Sequence, residues 1–124
     1  MYRTAKRYDY ATLPFGEVYQ LGAGLAYLDR VGVDRIEQHT VALAHELHAG
    51  LTAQGKALFT PAGNRSSIVT FYFERDPAVV KRAFDAAGID ASVRDKLNQV
   101  RVSAALFNTR EDVERFLNAA KAIG

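Results

Sequence analysis

Cysteine is absent from this chain of 124 residues, and so is tryptophan. Without a thiol there is no disulfide framework, no thiolate zinc or iron–sulfur centre and no cysteine nucleophile. Long apolar runs are missing too. No stretch approaches the ~20 residues that a helix needs to cross a bilayer, and the first residues lack the apolar block of a secretory leader. These absences make the cytoplasm the expected location and leave no reason to expect a membrane partner. An excess of one charge is also lacking, since sixteen basic and fourteen acidic residues leave a net of +2. Basic residues gather only at the start, where Arg3, Lys6 and Arg7 alternate with Tyr2, Tyr8 and Tyr10. A nucleic-acid module would carry such residues in a sustained stripe, so no nucleic-acid partner is expected.

What remains is ordinary globular material. Apolar residues make up 48% of the chain and charged residues 24%, a balance that argues against disorder and for a single folded domain. Residues 1–16 read as an extended segment punctuated by Pro14 and Gly16. From Glu17, the apolar positions Val18, Leu21, Leu25 and Leu28 recur at helical spacing. Gly22 and Gly24 weaken that helix by about 1 kcal/mol each relative to Ala, which hints at close packing there. Asp34, with Glu37 three residues on, opens a second helix with the stripe Ile36, Leu43, Leu47 and Leu51, ending at Gly50 or Gly55.

Residues 57–60 suit a short strand before the turn at Pro61–Asn64. Ser66–Glu74 is a strand whose Val69, Phe71 and Phe73 share one face. Asp76-Pro77 caps and starts a third helix, closed by Gly88. Ala91–Arg94 and Gln99–Leu106 read as strands joined by the polar connection Asp95–Asn98. Thr109 with Asp112 opens a last helix carrying Val113, Phe116, Leu117 and Ala120. The order predicts an α+β layer sandwich, a small mixed or antiparallel sheet covered by helices.

Few residues carry evident chemistry. His45 and His48 lie one helical turn apart, but His-Glu-Leu-His is one residue short of the zinc-protease spacing. With His39, they suit a solvated helix face better than a metal site. Gly22-Ala-Gly24 lies within a helix rather than after a strand, so it is no dinucleotide fingerprint. No Ser/His/Asp pattern and no paired-carboxylate motif is present. Arg101 stands out. Strand alternation puts Arg101, Ser103 and Ala105 opposite Val100, Val102 and Ala104. A guanidinium among small residues can take a planar carboxylate through two parallel hydrogen bonds, although an arginine on an open sheet face also satisfies the pattern. Arg94 on the neighbouring strand has the same two readings. The turn Tyr10–Gly16, ahead of a helix, offers a hydroxyl and amides to an anion.

Several stretches together resemble a known family. Arg7–Gly16 running into Leu21–Leu28, then Gly88–Arg94, then Val100–Asp112 with its Arg-Val-Ser and Phe-Asn-Thr segments, are similar in order and spacing to class V aminotransferases. These are fold-type I, pyridoxal-phosphate-dependent transferases and lyases that include cysteine desulfurases, selenocysteine lyases and isopenicillin-epimerase-like proteins. The similarity implies the C-terminal small domain, residues 17–124, preceded by a linker, residues 1–16, from a large domain. It implies that Arg101 grips the α-carboxylate of an amino-acid substrate, with Arg94 beside it. It further implies that Thr12 reaches the cofactor phosphate, usually across a dimer, with Ala11 where the family often has Gly.

The departures are informative. None of Lys6, Lys56, Lys81, Lys96 or Lys121 sits in the family's His-Lys context, the absence of cysteine excludes a persulfide step, and Asp95–Asn98 is too short for the long desulfurase loop. The expectation is therefore a domain that binds the substrate carboxylate and closes an active site. It would hold no pyridoxal phosphate by itself, would partner a cofactor-binding large domain, and would self-associate through apolar surface. The alternative is a stand-alone α/β module that binds or regulates a partner without catalysis.

Overall fold

The computed structural model describes residues 3–4 and 14–123. The chain divides into two compact units, Met1–Val33 and Asp34–Gly124. The first holds one helix, α1 (Phe15–Val31). It starts two residues earlier than the apolar pattern suggests, because Pro14 stands at the N-cap and its carbonyl accepts from Val18 N at 3.1 Å. Gly32 stops the helix at φ 93°, a conformation glycine adopts without steric cost. No residue of α1 is buried. The expected close neighbour of Gly22 and Gly24 is not found among the described residues, since a Cβ at either would meet nothing within 4 Å.

The second unit contains α2 (Val33–Ala53, its first residue just outside the unit), β1 (Ile68–Tyr72), α3 (Pro77–Ala86), β2 (Ser92–Arg94), β3 (Gln99–Ser103) and α4 (Arg110–Ala122). β3 lies between β1 and β2 and runs antiparallel to both. β1 and β2 are therefore parallel, joined by α3, with the returning strand inserted between them. This split β-α-β arrangement is the α+β sandwich expected, with an antiparallel ladder throughout.

One sheet face makes the core. Val69, Phe71 and Val100 point into it and are buried with Leu43, Leu47 and Leu51 of α2, Val80 and Phe84 of α3, and Val113, Phe116 and Ala120 of α4. Phe84 and Phe116 stack with ring centroids 5.2 Å apart, and Phe71 meets Phe116 edge-on at 6.2 Å, both favoured aromatic geometries. α3 begins as its sequence demands: Asp76 Oδ1 accepts from Ala78 N at 2.7 Å and Pro77 fills the first turn.

Several boundaries differ from the sequence reading, and β1 itself covers only Ile68–Tyr72 of the expected Ser66–Glu74. α2 runs through Gly50 to Ala53, so of the two glycines expected to end it, Gly55, at φ 74°, is the one that does. A Cβ at Gly50 would overlap the Leu117 side chain of α4, so this glycine is an approach point and not a stop. Residues 57–60 make only one bridge, Leu58 to Phe71, together with hydrogen bonds from Phe59 N and Thr60 N to Thr70 O. That segment still pairs with the outer edge of β1. β3 also stops at Ser103, three residues short, because Ala105 N turns to Asn108 Oδ1 at 2.8 Å.

Phe71 is fully buried at the junction of sheet and α4. Phe71→Ala is expected to cost about 3–5 kcal/mol, read as a lower urea midpoint with an unchanged slope.

Candidate functional site

The sheet face turned away from the helices carries the polar residues. Register places Thr70, Arg101 and Ser92 in one cross-strand row and Tyr72, Gln99 and Arg94 in the next. Arg101 thus stands on the middle strand, exposed, between two short hydroxyl side chains. The alternation expected along this strand is the one observed: Val100 is fully buried, Arg101 and Ser103 are exposed, and Ala104 is buried again. A helix over this face would have trapped the guanidinium in apolar surroundings. Instead, its donors face outward.

Arg94 is brought onto the same face. Its Nη1 donates to Gln99 Oε1 at 3.2 Å, and Gln99 is only 5% exposed. A buried amide therefore steers one guanidinium, while no described side chain orients the other. Sequence periodicity could not reveal Gln99, because the pairing depends on hairpin register. That register is set by the turn Asp95–Leu97 followed by Asn98, which adopts a left-handed φ of 50°. Beyond Gln99, Tyr72 meets Phe59 edge-on at 6.2 Å, an aromatic boundary supplied by the 57–60 segment.

None of the ion pairs among the described residues, Arg65–Glu37, Arg110–Glu46 and Arg115–Asp112, involves Arg94 or Arg101. Burial, and then the Arg75 guanidinium, hold Lys56 below the ordinary lysine range, and Tyr72 N donates to the adjacent Ala57 O at 2.8 Å.

The histidines have a role that helix periodicity did not disclose. His39 Nε2 pairs with Asn108 O at 2.9 Å, His45 Nε2 with Asn64 O at 2.8 Å and His48 Nε2 with Thr60 O at 3.1 Å. Each ring nitrogen acts as the donor to a carbonyl. α2 thereby pins the segment before β1, at Thr60 and Asn64, and the turn after β3. No group of three or more His, Asp or Glu able to hold a metal occurs among the described residues. A loop signal existed in sequence, in the turn residues Pro61–Asn64, but nothing in sequence showed which helix face it returns to.

Asn108 organises the turn after β3. Its Oδ1 accepts from Ala105 N, and its Nδ2 donates to Asp112 Oδ2 at 3.4 Å. Asp112 Oδ2 also accepts from Thr109 N at 3.0 Å, half of the capping box expected at this helix start. This turn walls a cleft of about 340 Å³ together with Ile89, Asp90, Val102, Ser103 and Phe107. A smaller cleft of about 180 Å³ lies between α2 and the 60–64 turn. Lys56, Lys81, Lys96 and Lys121 line neither cleft. Neither of these two clefts, as lined, presents an amine for a Schiff base with a pyridoxal cofactor. Thr12, expected at the cofactor phosphate, lies outside the described residues.

Comparison with known proteins places this geometry. The family model for aminotransferase class-V matches residues 2–116. "Probable cysteine desulfurase 1" of Mycobacterium leprae is 28% identical over 130 residues, covering 94% of this chain and 21% of its own length. "Probable cysteine desulfurase" of Xylella fastidiosa is 31% identical over 114 residues, covering 80% of this chain and 27% of its own. The chain thus spans about a quarter of these relatives. Among solved structures, the apo cysteine desulfurase of Thermococcus onnurineus NA1 superposes with a TM-score of 0.82 at 24% identity, over 98% of this chain and 34% of that one. The cystine C-S lyase C-DES, in complex with its product cysteine persulfide, gives 0.83 at 18% identity, over 96% and 32%. These two likenesses establish the fold.

Asp112 provides a pH test of the turn. The Thr109 backbone N–H, and next the Asn108 amide, hold its carboxyl below the ordinary value of 3.8. A lowered folded-state pKa means the unfolded chain takes up the proton first. The stabilisation is therefore complete above that ordinary value and lost as pH falls through the lower, folded-state one. Asp112→Asn is expected to flatten this part of the acid limb, measured as urea midpoints from pH 6 down to pH 2.

Proposed function

The chain belongs to the aminotransferase class-V family, whose enzymes depend on pyridoxal phosphate, and from that premise we propose that it serves as the family's small, C-terminal domain, binding the substrate carboxylate rather than performing the covalent chemistry. The observation that carries this reading is Arg101, unpaired among the described residues at the centre of the only described sheet and on the face its helices leave open. Its planar fork suits the α-carboxylate of an amino acid, held by two parallel charge-assisted hydrogen bonds. Thr70 and Ser92 beside it are too short to obstruct that approach. Covalent pyridoxal catalysis requires an activated lysine amine, and the described lysines are not arranged to supply one. No catalytic step is assigned to this chain. The cofactor and its lysine belong, in this reading, to a large domain of the kind that makes up the remaining length of the relatives.

α1 is the surface we assign to that domain. Val18, Leu21, Leu25 and Leu28 form one stripe, and all are exposed to the degree that Leu21 retains 63% and Leu25 58% of its accessible surface. Exposed apolar stripes of this kind mark protein contacts. Cytoplasmic location and a dimeric whole enzyme accompany the proposal.

Two measurements test these assignments. L-alanine titrated into the ¹⁵N-labelled chain is expected to shift the Arg101 Nε–H resonance with a dissociation constant on the order of tens of millimolar, since two charge-assisted bonds in water supply only about 2–3 kcal/mol. Arg101→Gln is expected to abolish the effect, and an unaltered titration in that variant would remove the carboxylate role. The isolated chain is also expected to self-associate with rising concentration in sedimentation velocity, and a Leu21→Glu, Leu25→Glu double variant to sediment as a monomer.

A further inference from the structure

We propose that the open sheet face is a two-point anion site, in which Arg94 and Arg101 together take a substrate bearing a second acidic group beyond its α-carboxylate, such as a dicarboxylic amino acid or the corresponding oxo-acid. The inference rests on the reading of Arg101 given above and adds the class of substrate.

Register supplies the geometry. Arg101 faces Ser92 and Arg94 faces Gln99, so the two arginines are diagonal neighbours on one face. Diagonal partners have Cα atoms about 7–8 Å apart, well within the convergent reach of two arginine side chains. Both point to the side opposite α2, α3 and α4. A short methylene chain between two carboxylates is enough to span them.

Arg94 is prepared for this role in a way that a merely solvated arginine is not. Gln99 Oε1 accepts one of its N–H bonds, and Gln99 is buried. A guanidinium has five donors, so four remain for a ligand after its orientation has been set. The edge-on pair of Tyr72 and Phe59 stands at the other end of the same row, an apolar flank for methylene groups.

Electrostatics favours a dianion over a monoanion. Among the described residues neither guanidinium has a carboxylate within ion-pair distance. The side chains between and beside them, Thr70, Ser92, Ser103 and Gln99, are all neutral. Two cations this close repel each other, and that repulsion is relieved fully only when each meets a negative charge. A single carboxylate neutralises one.

The test compares L-glutamate with L-alanine by the same side-chain resonances at constant ionic strength. In the wild-type chain glutamate is expected to bind about tenfold more tightly, with shifts at both Arg94 Nε–H and Arg101 Nε–H. Arg94→Gln is expected to reduce the glutamate-to-alanine affinity ratio to near one. Lys96→Gln, which removes the same charge from the adjoining turn, is expected to keep the ratio within twofold of wild type. Succinate against acetate should repeat the pattern without the amino group. A wild-type ratio near one, or a ratio equally reduced by Lys96→Gln, overturns the two-point site while leaving Arg101 as a carboxylate ligand. Alanine binding that survives Arg101→Gln overturns the underlying reading, and the two-point site with it.

Discussion

The alternation along β3 is the constraint on which the rest of the molecule depends. As the middle strand it is hydrogen-bonded on both sides, so its register cannot change without breaking two ladders. Val100 is then committed to the core and Arg101 to the open face. A slip of one residue would exchange them, and the guanidinium would enter a cavity lined by Phe71, Phe84 and Phe116 with no charge to meet it. Burial of an unpaired charge is among the most expensive events a core can suffer. The apolar packing of three helices on one face therefore also determines that a cation is presented on the other. Core stability and the proposed site share one cause.

How much of this can be read from the amino acids depends on the range of the interaction. Short-range signals translate directly. The periodicity of Val18 to Leu28 is α1, Asp76-Pro77 is the start of α3, Thr109 with Asp112 is the start of α4, and the alternation about Arg101 gives the face on which it stands. What periodicity cannot supply is the return of a distant segment. His39, His45 and His48 lie on the outer side of α2 as expected, and His39 and His45 are exposed, yet one ring nitrogen of each of the three also bonds a loop carbonyl. Gly50 has the look of a helix end because its partner, Leu117, is remote in sequence. Gly22 and Gly24 carry the opposite lesson, since small residues in a helix suggest a close neighbour that the described residues do not provide. The steering of Arg94 by Gln99 is likewise invisible until hairpin register is known. Family resemblance, rather than spacing, was what separated Arg101 from an ordinary arginine on an open sheet.

Arg94 and Arg101 line neither of the two described clefts, the larger of which has Arg115 in its wall. The larger cleft is walled by Ile89, Val102, Phe107 and the Asn108 turn, while the Arg94 and Arg101 guanidiniums project from the far side of the sheet. A site that both recognised a substrate and held an aldehyde cofactor would need an amine and a concave wall together. Here the recognising groups lie on a surface without a wall, which suits a domain that contributes one side of a site. The histidine contacts are consistent with such a part: α2 holds the segment leading into β1 and the turn following β3, which braces the sheet behind its open face.

The two arginines differ in what binding would cost them. An arginine side chain carries about 2 kcal/mol of rotamer entropy, most of which is lost when its fork is clamped. For Arg94 part of that loss has already occurred on folding, because Gln99 is buried and accepts from Nη1. For Arg101 no described partner exists, and the ordering cost falls at the moment a carboxylate arrives. A lone carboxylate must therefore offset both desolvation and ordering at Arg101 from two hydrogen bonds exposed to water. Covering the face with a second domain would change that balance, since exclusion of water strengthens charge-assisted bonds and restricts the guanidinium beforehand. Arg101 is thus the arginine whose contribution should grow most if a second domain covered the face, and Arg94, already steered, is the one that can discriminate between ligands without such cover.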